Sequence, residues 1–191
     1  MDLKTEKKLV REKMKRIRED LPQEYLRQAE RSIAKDFLGS ELYKSSSCIM
    51  GYLAFGNEIS VDKLLERALS DGKTVVVPRI VSRSEIKAVL LKNFNSLSIG
   101  CYGIRTAGEN IFIEPEKIDL VLVPGLAFTV DGSRLGLGAG YYDRFLPETV
   151  NAVKVGVTCQ KMLCRELPVE PHDFSVEYVI WDGGVTRQLR P

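Results

Sequence analysis

The densest chemistry in this sequence lies in one short run, Arg134-Leu135-Gly136-Leu137-Gly138-Ala139-Gly140-Tyr141-Tyr142-Asp143. Three alternate glycines, Gly136, Gly138 and Gly140, precede a plausible helix start. Glycine lets the backbone turn sharply and lets amide groups approach an anion closely. Successive N–H groups in such a turn, backed by a helix N-terminus, form a phosphate cradle. Arg134 adds a bidentate phosphate partner at its mouth. The loop is neither a Walker A sequence nor a dinucleotide fingerprint: G-x-x-x-x-G-K-[S/T] is absent, and Tyr141 stands where the third glycine of G-x-G-x-x-G belongs. On spacing alone, a structural turn and a ligand loop stay equally open.

Other candidates are scattered along the chain. Lys7 and Arg11 stand four residues apart, share one helix face and can point at one polyphosphate, although a solvated basic face is the commoner outcome for such a pair. Glu58 follows an apolar run just before Ser60, where an acid is usually solvated or favours a helix start. Asp143 reads locally as a helix-start acid and Asp173 as a turn residue. Tyr141 and Tyr142 can simply pack their rings with the hydroxyl wet. His172, the sole histidine, reads as structural within its Pro-His-Asp turn. Cys48, Cys101, Cys159 and Cys164 form no C-x-x-C pair and no zinc spacing with His172, so reduced structural thiols are expected.

The elements that must hold these residues alternate. Helices are expected over residues 3–19 and from Pro22 to residue 38, where Leu26, Ala29, Ile33 and Phe37 share a face and Gly39 supplies the stop. Apolar strands are expected at 47–55, 74–77 (closed by Pro78), 86–91, 120–123, 153–159 and 178–181. A helix capped by Ser60 runs between the first two of these strands, and a loop is expected over 92–116. Continuous apolar strands separated by helices imply an α/β sheet covered on both faces, with ligands beyond the strands' carboxyl ends. The segment after the 120–123 strand is therefore the place to expect a ligand. The chain of 191 residues carries 28 basic and 26 acidic side chains, a net charge of +2. Near-neutrality argues against a nucleic-acid binder, and no apolar run approaches the ~18 residues of a membrane span. The first residues hold no hydrophobic signal core, so a cytoplasmic location is expected.

The longer string is more specific. Arg134-Leu135-Gly136-x-Gly138-x-Gly140-Tyr141-Tyr142-Asp143-Arg144-Phe145-Leu146, preceded by Val123-Pro124-Gly125-Leu126-Ala127-Phe128 and Gly132, resembles the signature of the 5-formyltetrahydrofolate cyclo-ligase (5,10-methenyltetrahydrofolate synthetase) family. The likeness extends to Lys7-Lys8-Leu9-Val10-Arg11, to Tyr52-Leu53-Ala54-Phe55-Gly56-Asn57-Glu58-Ile59 and to Leu167-Pro168-Val169-Glu170-Pro171-His172-Asp173. It implies one domain over 1–191 with a largely parallel sheet layered between helices, a cyclo-ligase / NagB-RpiA-CoA-transferase-like α/β fold. It also implies a ligase of one-carbon metabolism that uses ATP, with Mg²⁺ as cofactor. The formyl oxygen of 5-formyltetrahydrofolate takes the γ-phosphoryl group, N10 attacks, and 5,10-methenyltetrahydrofolate, ADP and phosphate are released.

By the same resemblance, ATP falls to Lys7, Arg11, Arg134, Leu135, Gly136, Leu137, Gly138, Ala139, Gly140, Tyr141 and Tyr142. The folate falls to Leu53, Glu58, Leu137, Gly138, Ala139, Gly140 and Tyr141; Arg134 and Tyr141 are the catalytic candidates. Asp143 and Asp173 are the Mg²⁺ candidates, since that ion takes one or two carboxylates plus phosphate oxygens and water. Arg79 is expected near a phosphate or the folate glutamate. The partners implied are the two substrates alone, with no nucleic acid and no membrane, and a monomer is expected. One departure stands out. The family loop usually carries a long polar residue where this chain has Leu137, and often Gly or Lys where it has Ala139. A nucleotide- or folate-binding relative without turnover is therefore the rival reading.

Overall fold

A computed structural model describes residues 2–187. Helices α1 (Leu3–Glu19), α2 (Gln23–Gly39) and α3 (Glu41–Ser45) lead into strand β1 (Cys48–Met50), α4 (Asp62–Ser70), β2 (Thr74–Ile80) and β3 (Ile86–Leu90). A small hairpin, β4 (Leu97–Ile99) and β5 (Arg105–Ala107), precedes β6 (Leu120–Val123). A second hairpin, β7 (Ala127–Phe128) and β8 (Arg134–Leu135), opens into the glycine loop and α5 (Tyr141–Phe145). Strands β9 (Val153–Val157), β10 (Tyr178–Trp181) and β11 (Gly184–Arg187) complete the fold. The main sheet runs β11-β10-β9-β6-β1-β2-β3. Its five central strands are parallel, and antiparallel β3 and β11 close its edges.

Strand periodicity divides the core into two layers. Val75, Val77, Leu120 and Leu122 face the helical layer, packing with Ile33 and Phe37 of α2 and Leu65 of α4. Val76, Val121 and Val123 point the other way, toward Phe128, Phe145 and Leu146. The expected sheet between helices is therefore present, with every residue of β6 buried.

Four expected boundaries shift, each for a physical reason. The 47–55 run pairs only as β1; residues 51–55 leave the sheet unpaired and bring Tyr52 and Leu53 into the core. Strand β2 continues through Pro78 instead of ending there. Thr74 and Val76 bond toward β1, so Pro78, in the same phase, turns its missing N–H to the side where β1 has already stopped. Helix α4 starts at Asp62, because the Ser60 hydroxyl accepts from the Asp62 amide as a turn just before it. The 92–116 loop contains β4 and β5, three-residue strands too short to show alternation. Cys48 and Cys159 are buried thiols, as expected, and burial pushes the Cys48 thiol up to about 11.

Phe128 anchors the layer beneath the glycine loop. Its ring, fully buried, presses against Gly125 on one side and Gly156 of β9 on the other. A Cβ at Gly156 would lie 2.4 Å from the ring. Gly156→Ala should therefore destabilise the fold by about 1–3 kcal/mol, the range for overpacking a filled core. A lower urea midpoint checks this; an unchanged midpoint would mean the ring is free to move.

Candidate active site

The strands of the parallel sheet end on one side, and there the chain gathers most of its unusual polar groups. Strand β8 holds Arg134 buried, and the loop after it needs left-handed backbone at Gly138 (φ 109°) and at Gly140 (φ 68°), the residue before α5. Only glycine takes such angles freely. Arginines hold the loop from two directions. Arg11 donates from Nε to the Gly136 carbonyl at 3.0 Å, and Arg144 donates to the Ala139 carbonyl at 2.7 Å. Leu137 at the loop's crest is half exposed. Arg144 and the Tyr141 hydroxyl also donate to the carbonyls of Ser84 and Ser82, fixing the loop against the β2–β3 turn.

Beneath the loop a chain of charges forms. Arg134, 6% exposed, donates to the Asp143 carboxylate and to the Pro124 carbonyl at 3.4 Å. Its Nε is buried without a partner, as is the Tyr142 hydroxyl. Burial keeps the Tyr142 phenol protonated well beyond the usual range. Asp143 also accepts from the Phe174 amide at 3.2 Å, which ties it to the segment that carries Asp173. The Asp173 carboxylate accepts from Lys7 Nζ at 2.5 Å and from the Glu170 amide at 2.7 Å. Lys7, 3% exposed, also meets Glu170 at 2.6 Å. Burial works to raise the Asp173 carboxyl, but these donors outweigh it and hold it below its ordinary value. Burial likewise works against the Lys7 ammonium, and its two carboxylates leave it raised.

A small pocket adjoins this cluster through Pro124 and Gly125. Its polar wall is Glu58, which accepts from Arg18 at 3.2 Å and from the Phe55 amide at 3.0 Å. Burial raises the Glu58 carboxyl against the lowering effect of the Phe55 amide and Arg18.

The folding chain thus brings Lys7, Arg11, Arg134, Asp143, Asp173 and the 136–140 loop into one connected cluster, with Tyr141 and Tyr142 opening α5 beside it and Glu58 in the adjoining pocket. Leu135 is buried in β8, and Leu53 is buried in the helical-layer core, while its neighbour Tyr52 lines the pocket. Arg79 does not join them. It donates to the Ala107 and Glu109 carbonyls and to Asn110, fastening β2 to the segment after β5. Arg18 and Glu170 are participants that the sequence motifs do not single out. Arg18 lies eleven residues beyond Lys7 and seven beyond Arg11, on the same helical stripe, and that spacing is the available signal.

Known proteins resemble this chain along most of its length. The family model described as the 5-formyltetrahydrofolate cyclo-ligase family matches residues 3–182. A 5-formyltetrahydrofolate cyclo-ligase from Mycolicibacterium smegmatis is 32% identical, over 82% of this chain and 84% of that protein. One from Mus musculus is 26% identical, over 88% and 89%. The NMR structure of Aquifex aeolicus 5,10-methenyltetrahydrofolate synthetase superposes with a TM-score of 0.86 at 28% identity, covering 97% of this chain and 94% of that one. A match spanning both the glycine loop and the distant Lys7 and Asp173 segments places this chain in the 5-formyltetrahydrofolate cyclo-ligase family.

Proposed function

We propose that this chain closes 5-formyltetrahydrofolate to 5,10-methenyltetrahydrofolate at the expense of ATP, as a monomer in the cytoplasm. One observation supports this reading above the rest: beside a glycine loop whose backbone only glycine takes freely, Arg11 bonds the Gly136 carbonyl, Arg134 meets Asp143 just past the loop, and Lys7 meets Asp173 in the adjoining segment, so cations from two distant segments gather in one cluster. A formamide oxygen is a poor leaving group, and phosphorylation makes it a good one. The formyl oxygen attacks the γ-phosphorus and ADP leaves. N10 then attacks the formyl carbon, the proton on N10 is lost, and phosphate departs with the former formyl oxygen. Such chemistry asks the protein for positioning and charge neutralisation.

Backbone amides of Gly136, Leu137, Gly138, Ala139 and Gly140 cradle the phosphates, so the apolar side chains of Leu137 and Ala139 do not disable the loop. Lys7 and Arg11 bind the polyphosphate from α1, and Arg134 stabilises the phosphoryl group in flight. Tyr141 and Tyr142 line the surface shared by the two substrates, with Leu135 and Leu53 shaping it from below. Glu58 accepts hydrogen bonds from pterin N–H donors. The donor set also suits Mg²⁺: Asp143 and Asp173 are hard carboxylates in one connected cluster, Asp143 tied through the Phe174 amide to the segment that carries Asp173, and Glu170, His172 and Asp173 offer atoms within 4.8 Å of one another. When bound there, Mg²⁺ supplies further neutralisation of phosphate charge.

The assay mixes protein, 5-formyltetrahydrofolate, ATP and Mg²⁺ and follows the near-ultraviolet absorbance of the methenyl product. A rise that requires all three additions is expected; its absence from folded protein would favour the relative without turnover. Arg134→Lys keeps a charge but loses the planar fork and should lower kcat on the order of 10²-fold. A wild-type rate in that variant would remove Arg134 from the chemistry.

Lys7 gives a second prediction. Because Asp173 titrates below the ordinary 3.8, its contribution to stability is complete above that pH and fades as pH falls through the lower folded value. Lys7→Met removes a main cause of that depression. The variant should lose about 1–3 kcal/mol at pH 7, given that Asp173 is only partly shielded from solvent. It should also lose less stability than wild type between pH 5 and about 3, and its KM for ATP should rise. Urea titrations at several pH values check the first two; parallel acid profiles for the two proteins would refute the pairing.

A further inference from the structure

We propose that Arg18 is the positioning residue for the carboxylate that recognises the folate, holding Glu58 aimed into its pocket from the far end of the helix that grips the nucleotide. The inference rests on the reading that Glu58 meets the substrate.

The geometry begins with a stripe. Lys7, Arg11, Met14 and Arg18 follow one another along α1 at steps of four, three and four, which places them on one face. Each meets a different part of the molecule. Lys7 holds Glu170 and Asp173, Arg11 holds the Gly136 carbonyl, Met14 packs into the core, and Arg18 reaches Glu58. Eleven residues of helix span about 16 Å, so one rigid element runs from the phosphate-binding end of the cluster to the folate pocket.

The contact at the far end is built rather than incidental. Both side chains of the Arg18–Glu58 pair are largely buried, at 13% and 14% exposed. Asn57, next to Glu58, donates its amide to the carbonyls of Arg18 and Glu19, so the 55–58 turn caps the last turn of α1. Arg18 takes one oxygen of the Glu58 carboxylate, and the Phe55 amide takes the other. Each carboxylate oxygen has more than one lone pair. Two donors behind the group therefore fix its plane and leave acceptor capacity toward the pocket, where Tyr52, Gly125, Thr158 and Cys159 form other walls.

Charge points the same way. The groups facing Glu58 are Arg18 from α1 and two phenols, Tyr52 from its own segment and Tyr142 from α5. Burial keeps both phenols protonated and neutral, so neither adds charge beside Glu58, Arg18 is the cation among these groups, and burial also pushes Glu58 upward. Arg18 opposes that push. A protonated Glu58 would present a donor where the substrate N–H groups need an acceptor. Losing Arg18 should therefore both loosen the carboxylate and shift its titration upward.

The test is steady-state kinetics on Arg18→Gln, Arg18→Lys and Glu58→Gln, each confirmed folded by circular dichroism. Arg18→Gln should raise KM for 5-formyltetrahydrofolate about tenfold to a hundredfold, the worth of a hydrogen bond to a charged group, and leave KM for ATP within about twofold. Its kcat/KM for the folate should also fall off at a higher pH on the acid side than wild type. Arg18→Lys, which restores the charge, should return that acid limb and recover much of the KM. Glu58→Gln should raise KM for the folate and abolish the limb. If Glu58→Gln leaves the folate KM unchanged, the placement of folate at Glu58 falls, and the role of Arg18 with it. If Glu58→Gln has its effect while Arg18→Gln moves neither KM nor the limb, the Arg18 inference alone is overturned. Equal increases in both KM values would make Arg18 a support for α1 as a whole and would also overturn it. Should Arg18→Gln not fold, an acid limb displaced in folded Arg18→Lys as far as removal of the charge demands has the same consequence.

Discussion

A cation taken out of water must be met by an anion or a carbonyl, and this constraint organises the active end of the molecule. Leaving a buried charge unpaired costs several kcal/mol, more than most single contacts supply. Helix α1 points a buried ammonium and two shielded guanidiniums at the rest of the protein along one stripe. The segments that meet them come from residues 55–58, 136–140 and 170–173, far apart in sequence. None of these segments belongs to the regular sheet. Their conformations are thus set by polar satisfaction around α1, while the β-strands beneath are set by apolar packing.

That division explains what can be read from the sequence. The strands and long helices follow apolar periodicity and turn residues, so α1, α2, β6 and β10 fall where the pattern puts them. The glycine loop is visible because positive backbone angles demand glycine. Long-range charge pairing leaves no such mark. Lys7 and Asp173 are each legible as candidates through the family resemblance, but their direct contact, 166 residues apart, is not. Arg18 looks like another solvent-facing base on a strongly basic helix, although its step from Arg11 matches the buried stripe. Pro78 misleads for a different reason: a strand tolerates proline where its neighbour has ended, and that depends on the length of β1 rather than on anything near residue 78.

The same pairing has a consequence for how phosphate would enter. Lys7 holds Glu170 and Asp173, and Arg134 holds Asp143, so the strongest cations already face carboxylates. An incoming polyphosphate does not need to create positive charge here. On the proposed reading it would compete with carboxylates for cations that are already desolvated and aimed, and the carboxylates it displaces would stay in the site as uncompensated negative charge. Asp143 and Asp173, released from their cations, would then be two carboxylates of one cluster in need of positive charge, which is the condition under which a divalent cation binds well.

On the proposed reading, that competition would also set the order of binding. A divalent cation alone meets Asp143 and Asp173 while Arg134 and Lys7 still neutralise them, so its affinity is set against two existing ion pairs. A phosphate alone meets Lys7 and Arg134 while the carboxylates compete for them. Arriving together, each ligand would relieve the repulsion that the other leaves behind, and on the proposed reading their binding would be cooperative. On the proposed reading, the cations of α1 that would meet the nucleotide and the arginine that steadies Glu58 sit on one helix, and that placement, rather than flexibility in the loop, brings the two pockets together.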